Sequence, residues 1–378
     1  MKVGVPAEVQ PGEHRVALTP DTTRKLAAAK LEVVVQAGAG TAAGVTDEAY
    51  TEAGATVMPD ERRLLQQAEI VLKVQPPTLD EVPLLREGAL VISFLQPAQN
   101  GELIKALAAR RVTAFSLELL PRISRAQSMD ALSSQASLAG YKAVLMAANR
   151  LGKFFPMLMT AAGTIAPARA LVLGAGVAGL QAIATARRLG AVVEAYDVRP
   201  AVREEVQSLG ARFLELQLET QEGSGGYARE QSEDFLKRQR ALIGDRVAAA
   251  DVVITTAAIP GRKAPLLVTM DMVRRMRPGS VIVDLAAESG GNCEATRPGE
   301  VIEVGGVFVD GTRNVPSTVA VHASQLFARN VENLLLYLVK DGAIKLDFED
   351  DLVKGACVTH NGEIIHPQAR QHLELKAS

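Results

Sequence analysis

Apolar residues along this chain fall into short runs separated by longer stretches with helical spacing. KVGV after Met1, EVVVQ from Glu32, EIVLKVQ from Glu69 and ALVISFL from Ala89 read as strands. Between them, Asp21 to Lys30 and Gly101 to Arg111 have helical patterns, the first with Thr19 or Asp21 near its N-cap. A second series starts at Ala170: ALVLGAGVAG is a strand and turn, and LQAIATARRLG is a helix closed by Gly190. AVVEAYD, ADVVITTA, GSVIVDLA and GVFVDG, from Ala191, Ala250, Gly279 and Gly306, supply later strands. Long helical patterns, from about Leu138 to Leu151 and from Ser317 to Lys340, flank this second series. Strands alternating with helices predict an α/β fold with parallel sheets. The two flanking helices place the second domain, near 140–310, as an insertion in a first made from 1–130 plus 315–378.

Composition narrows the function classes. A chain of 378 residues with 48% hydrophobic and 22% charged residues is globular and large enough for two domains. A formal net charge of −2 gives no general attraction to nucleic acid or anionic lipid. Cys293 and Cys357 are far apart in sequence, which points to a reducing compartment, plain thiols and no metal site. The opening MKVGVPAEVQPGEHRVALTP has no apolar core of signal-peptide type. The apolar run Ala170 to Ala186 is broken by three glycines and Gln181, so no membrane-spanning helix is expected.

Gly174, Ala175, Gly176, Val177, Ala178 and Gly179 form a G-x-G-x-x-G loop. It follows an apolar strand and opens an amphipathic helix, and Asp197 ends the next strand. The first glycine allows a sharp turn, the second lets backbone approach a pyrophosphate, and the helix N-terminus offers N–H groups to phosphate. Asp197, with Val198 beside it, is placed to accept from an adenosine ribose and to repel a 2′-phosphate, favouring NAD(H). Arg199, two residues on, is of the type that holds a 2′-phosphate. Both domains are therefore expected to be Rossmann-like. A second glycine run, GAGTAAG from Gly38, also follows a strand, with Asp60 further on. Its third glycine, Gly44, is one residue late and only a short helix follows, from a cap at Thr46 or Asp47, so it reads as a turn.

The stretch RAQSMDALSSQASLAGYKAV, from Arg125, packs hydrogen-bonding side chains before a helical pattern. Read alone, it is either an N-capping polar turn or a grip on a polar ligand. Together with HRVALTP, AGAG, LKVQPP, LVLGAGVAGLQAIATARRLGA, VIVDLAAESGGN and VTHNGEIIHP, it resembles the NAD(H)-binding component of proton-translocating nicotinamide nucleotide transhydrogenase. The likeness covers nearly the whole chain, and that family is related to alanine dehydrogenase. The resemblance implies that Arg122, Gln127, Asp130 and Ser133 hold the dihydronicotinamide end of the cofactor, the last three sharing one face if helical. It implies a lid bearing Tyr227. TTAAIPGRKAP, from Thr255, follows a strand, which places Ala257 and Ile259 on the adenosine or nicotinamide-ribose side, Ile259 being equally readable as core. Glu288 stands where the related dehydrogenase has an acid after VIVDLA. The resemblance further implies a nicotinamide site in the cleft between the domains and a homodimer on the cytoplasmic side of the inner membrane. NADP(H) would lie on a partner component, with a transmembrane proton channel on another chain.

Two other readings compete. An alanine dehydrogenase-like enzyme would use Arg15 for a substrate carboxylate, Lys73 for a carbonyl oxygen and a histidine as acid/base. Arg15 and Lys73 are present, but SFLQPAQ places Gln96 at the histidine position, and a carboxamide cannot transfer protons near neutral pH. Direct hydride transfer needs no acid or base; it needs two rings held within about 3–3.5 Å. A non-catalytic NAD sensor is the third reading, opposed by a loop that grips the nicotinamide end. Outside a dehydrogenase, Arg15 and Lys73 are relics, structural ion-pair partners or contacts to the cofactor.

Overall fold

The computed structural model describes residues 1–215, 233–258, 262–340 and 342–371. The chain divides into two compact units, Met1–Gln135 with the chain from Ser317 on, and Ala136–Pro316. The strands, in chain order, are β1 (Lys2–Val5), β2 (Glu32–Gln36), β3 (Thr56–Met58), β4 (Ile70–Leu72), β5 (Leu90–Ser93) and β6 (Thr113–Ser116). A small hairpin, β7 (Leu158–Thr160) and β8 (Gly163–Ile165), precedes β9 (Arg169–Leu173), β10 (Val192–Tyr196), β11 (Arg212–Phe213) and β12 (Val252–Thr255). Then come β13 (Val281–Asp284), β14 (Val301–Val304), β15 (Val307–Asp310), β16 (Val339–Lys340), β17 (Ala343–Ile344), β18 (Cys357–His360) and β19 (Glu363–Ile364).

The first unit's sheet runs β19-β18-β6-β5-β4-β1-β2-β3. Its six N-terminal strands are parallel in the doubly wound order 3-2-1-4-5-6. The C-terminal VTHNGEIIHP returns to this sheet, adding β18 and β19 antiparallel at its β6 edge. The second unit's sheet, β11-β10-β9-β12-β13-β15-β14, repeats the winding, with only β14 antiparallel. Both sheets are thus mixed rather than wholly parallel. Their central strands are apolar on both faces because helices cover both, and Val3, Val5, Ile70, Leu72, Val172 and Ile254 are buried.

Several element boundaries differ from the sequence expectation for identifiable reasons. The first helix is Pro20–Ala28, and Lys30 takes a left-handed φ of 62° that ends it. β4 stops at Leu72 because the N–H groups of Val74 and Gln75 turn to the Glu8 carboxylate, at 2.6 and 3.4 Å, instead of a neighbouring strand. The helix expected from Leu138 begins at Ala131 and runs to Arg150. The other long helix is Ala320–Leu338, preceded by a 3₁₀ turn, Val315–Val319. The GAGTAAG run follows β2 rather than β1 and folds into turns and the 3₁₀ segment Thr41–Ala43. It therefore misses the point where the strand order reverses, which is where such sheets hold ligands. The short helix after it is Asp47–Glu52, capped by Thr46, whose hydroxyl accepts from the Ala49 N–H. Asp60 caps the helix Glu61–Gln67.

Candidate nucleotide site

In the second unit the strand order reverses between β9 and β12. The Gly174–Gly179 loop leaves β9 there and opens the helix Val177–Arg188. Gly174 has φ of 102°, a left-handed value that favours glycine, and a Cβ there would stand 2.6 Å from Thr256 Oγ1. Gly179 is tighter still: a Cβ would lie 1.9 Å from the Gly174 carbonyl oxygen. Above Gly176 there is open space, with nothing within 4 Å of a Cβ. A pyrophosphate fits such a loop, because backbone is bare at Gly176 and the first-turn N–H groups have no intrahelical acceptor.

One support of this loop escaped the sequence reading. Gly140 lies inside the helix Ala131–Arg150, and a Cβ there would stand 2.0 Å from the Ala178 carbonyl oxygen. The long helix can approach the phosphate-loop helix only through a glycine. The signal was an isolated glycine in a helical pattern, which costs stability unless packing requires it.

Asp197 follows β10 and is nearly buried, and its carboxylate holds four protein donors. Oδ2 accepts from Ala175 N at 2.7 Å and Arg199 Nη2 at 2.9 Å. Oδ1 accepts from Arg199 N and Nε, both at 2.9 Å. Asp197, Arg199 and the loop residue Ala175 are thus one cluster, with Val198 half-buried between the pair. The wall opposite is set by Asp284 and Asn292, which sequence reasoning also missed although VIVDLAAESGGN contains both. Asp284, at the end of β13, accepts from Thr255 Oγ1 at 2.8 Å, Thr296 Oγ1 at 2.6 Å and the backbone N–H groups of Ala286, Asn292 and Cys293. Asn292 is fully buried; it accepts from Ala257 N at 3.0 Å and donates to the carbonyls of Ala257 and Pro265, both at 2.8 Å. That pins Ala257 next to Gly174, whose carbonyl takes the Thr256 hydroxyl at 3.0 Å. Glu288 is exposed on the 3₁₀ turn Ala287–Ser289 after β13. Tyr227 and Ile259 lie outside the described residues.

The polar stretch belongs to the first unit up to Gln135. Most of its hydrogen-bonding capacity is structural. Arg125 forms a fork with Asp350, at 2.5 and 3.2 Å. The Ser128 carbonyl accepts from Asn330 and Asn333 of the helix Ala320–Leu338, Ser134 donates to Asn330, and Gln135 donates to the Ala323 carbonyl. Asp130 accepts from Ser133 N at 2.9 Å and Ser133 Oγ at 2.6 Å, capping the long helix. Gln127, Asp130 and Ser133 do not share one helical face. Gln127 sits on the 3₁₀ segment Ser124–Met129, Asp130 at the break, and Ser133 in the first turn of the helix. Buried Ala126 and Met129 anchor the 3₁₀ segment, leaving Gln127 exposed with its side chain bonded to no described residue. Arg122 is exposed just before it.

Arg15 and Lys73 lie near the carboxyl ends of β1 and β4, where the first unit's strand order reverses. Both are buried and ion-paired. Arg15 reaches Glu13 through Nε at 2.8 Å and Nη2 at 2.6 Å, and Gln135 Oε1 at 2.9 Å. Lys73 Nζ lies 2.7 Å from Glu81 and 3.9 Å from Glu8. Burial raises the Glu8 carboxyl from 4.5 to about 7, against the pull of Lys73. Burial also works against Glu13, but the hydrogen bonds and charge of Arg15 outweigh it and hold Glu13 at about 2. Glu8 therefore stabilises the folded state below pH 4.5, and its contribution is lost as pH rises through about 7. The Glu13 contribution is present above pH 4.5 and lost as pH falls through about 2. Thermal unfolding between pH 6 and 8 should show stability falling on the alkaline side by about 1 kcal/mol. Glu8→Gln should flatten that fall; an unchanged slope would remove Glu8 as its source.

Gln96, exposed, takes a left-handed φ of 48°, and its N–H donates to the buried Glu118 carboxylate. Among the described residues no cluster of three or more His, Cys, Asp or Glu is arranged to hold a metal, and no helix is long and apolar enough to cross a membrane. Cys293 and Cys357 are both buried, and burial pushes their thiols up to about 11 and about 12.

Comparison with known proteins now decides the family. The alanine dehydrogenase/PNT N-terminal domain matches residues 4–139, and the C-terminal domain of that family matches residues 143–367. The chain belongs to the alanine dehydrogenase/PNT family. Within this family it is 50% identical over 377 residues to an NAD(P) transhydrogenase alpha-subunit chain of Rhodospirillum rubrum, covering 97% of this chain and 98% of that one. It is 30% identical over 383 residues to alanine dehydrogenase of Bacillus subtilis, covering 99% and 95%. The crystal structure of transhydrogenase from Sinorhizobium meliloti superposes with a TM-score of 0.86 at 45% identity, over 97% of this chain and all of that one. The two transhydrogenases are thus more similar to this chain than the alanine dehydrogenase is.

Proposed function

We propose that this chain is the NAD(H)-binding subunit of a proton-translocating transhydrogenase. It binds NAD(H) in its second unit and hands a hydride directly to or from NADP(H) held on a partner component. The observation that carries the reading is Gln96: the chain keeps a dinucleotide cradle but offers a carboxamide where amine oxidation needs an acid/base. Gly176 and the helix N-terminus would take the pyrophosphate, and Asp197 the adenosine ribose. Gln127 and Arg122 would donate to the dihydronicotinamide carboxamide, and Asp130 with Ser133 would accept from it. Bound nicotinamide supplies the hydride; the chain's residues hold the ring in place and move no proton.

Proton translocation falls to a separate membrane component, and this subunit would sit on the cytoplasmic side of the inner membrane through its partners. A homodimer is supported by the β7–β8 hairpin. Met157, Met159, Phe154 and Ile165 on and around it are exposed, and an apolar two-stranded ribbon is marginal in water unless covered.

The test is reduction of an NAD analogue by NADPH, followed by absorbance, with this chain mixed with a soluble NADP(H)-binding component. Turnover requiring both proteins is expected. No turnover despite NADH binding would overturn the reading in favour of a sensor, and turnover of alanine by the chain alone would favour the dehydrogenase. Asp197→Ala should weaken NADH binding about tenfold and relax discrimination against NADPH, measured by fluorescence titration. Unchanged selectivity would show that Asp197 does not read the ribose.

A further inference from the structure

We infer that Arg199 sets the nucleotide selectivity of this site by competing with the ribose for Asp197. The inference rests on the dinucleotide reading and deepens it. A carboxylate offers about four lone-pair sites, and all four on Asp197 are taken. Ala175 N and Arg199 N are fixed backbone donors, at 2.7 and 2.9 Å. The other two are Arg199 Nε and Nη2, a fork gripping both oxygens at 2.9 Å.

A ribose diol donates two hydrogen bonds to such an acid, so it must displace two donors. The backbone pair is fixed: freeing Ala175 N disturbs the Gly174–Gly179 turn, and freeing Arg199 N undoes the turn after β10. The guanidinium can leave, because it is carried on a flexible side chain and retains about a fifth of its surface in solvent. NAD(H) binding thus carries the cost of opening a charge-assisted fork.

The released guanidinium then stands beside the 2′ position. For NAD(H) it meets a ribose hydroxyl, which carries no charge. For NADP(H) it finds a phosphate whose geometry matches its fork. The same residue therefore weakens NAD(H) and rescues NADP(H), and it cancels much of the repulsion that Asp197 alone would exert. Arg199 narrows the preference for NAD(H).

The test is titration of the full chain with NADH and, separately, NADPH, read by nucleotide fluorescence, for wild type, Arg199→Met and Arg199→Lys. Methionine keeps the length and apolar stem without the fork. The ratio of NADPH to NADH dissociation constants should rise at least tenfold in Arg199→Met, from tighter NADH and weaker NADPH together. Arg199→Lys, with a point charge and no fork, should fall between. The salt dependence of NADPH binding should also diminish in Arg199→Met. An unchanged ratio with NADH binding retained would overturn the role of Arg199 and leave the dinucleotide site standing. Failure of the wild-type chain to bind either nucleotide would overturn both.

Discussion

Gly179→Ala is expected to remove nucleotide binding and destabilise the second unit together. The added methyl would lie 1.9 Å from the Gly174 carbonyl oxygen and 2.8 Å from its carbon, both backbone atoms that no side-chain rotation can relieve. Either the turn after β9 opens or the first turn of the helix Val177–Arg188 unwinds, and each outcome takes N–H groups away from a pyrophosphate. NADH affinity should fall about 100-fold, and the melting temperature should drop by several degrees. Gly176→Ala is the control. Nothing lies within 4 Å of its Cβ, so that variant should melt like wild type. Its methyl would still occupy the approach to the phosphates, and affinity should fall about tenfold. Titration with NADH and thermal unfolding measure both. Wild-type affinity in Gly179→Ala would show that the loop does not carry the phosphates.

Gln127→Asn should slow hydride transfer about 100-fold while changing NADH affinity less than about threefold. Gln127 is exposed and its side chain bonds no described residue, so the shorter amide costs the fold nothing. What it loses is reach. A ring anchored through its phosphates stays bound but sits about 1 Å from the productive position, and transfer between two rings is that sensitive to placement. Single-turnover rates against NADH titration separate the two effects. Equal losses in both would mean that Gln127 binds the cofactor rather than orienting the ring.

The two substitutions differ in how legible their sites are in sequence. The phosphate loop is contiguous: a strand, three glycines and a helix suffice to specify a turn whose backbone faces a ligand. Asp197 was equally readable, since it ends the next strand at a set distance. Its partnership with Arg199 was not. Two residues apart, the pair could read the ribose jointly, oppose each other or ignore each other, and only the fork geometry places both on the same oxygens. The polar stretch from Arg125 shows the same division. Its density of donors and acceptors was visible, but its use was not. Arg125, Ser134 and Gln135 serve contacts with residues near 323–350, and Asp130 caps a helix that starts seven residues before the apolar pattern begins.

The sequence by itself determined the alternation of strands and helices, the glycine turn at Gly174–Gly179 and the carboxamide Gln96 after ALVISFL. Each is written in neighbouring residues, where backbone sterics and periodicity act locally. The tertiary structure decided which glycine run stands where the strand order reverses, and so which one can face a phosphate. It decided that Gly140 is a packing contact, that Asn292 pins Ala257, and that Arg15 and Lys73 are spent on carboxylates. Those outcomes depend on groups tens to hundreds of residues apart meeting in a low-dielectric interior. There a buried charge or polar atom must find its partner, and the chain alone does not say which partner is within reach.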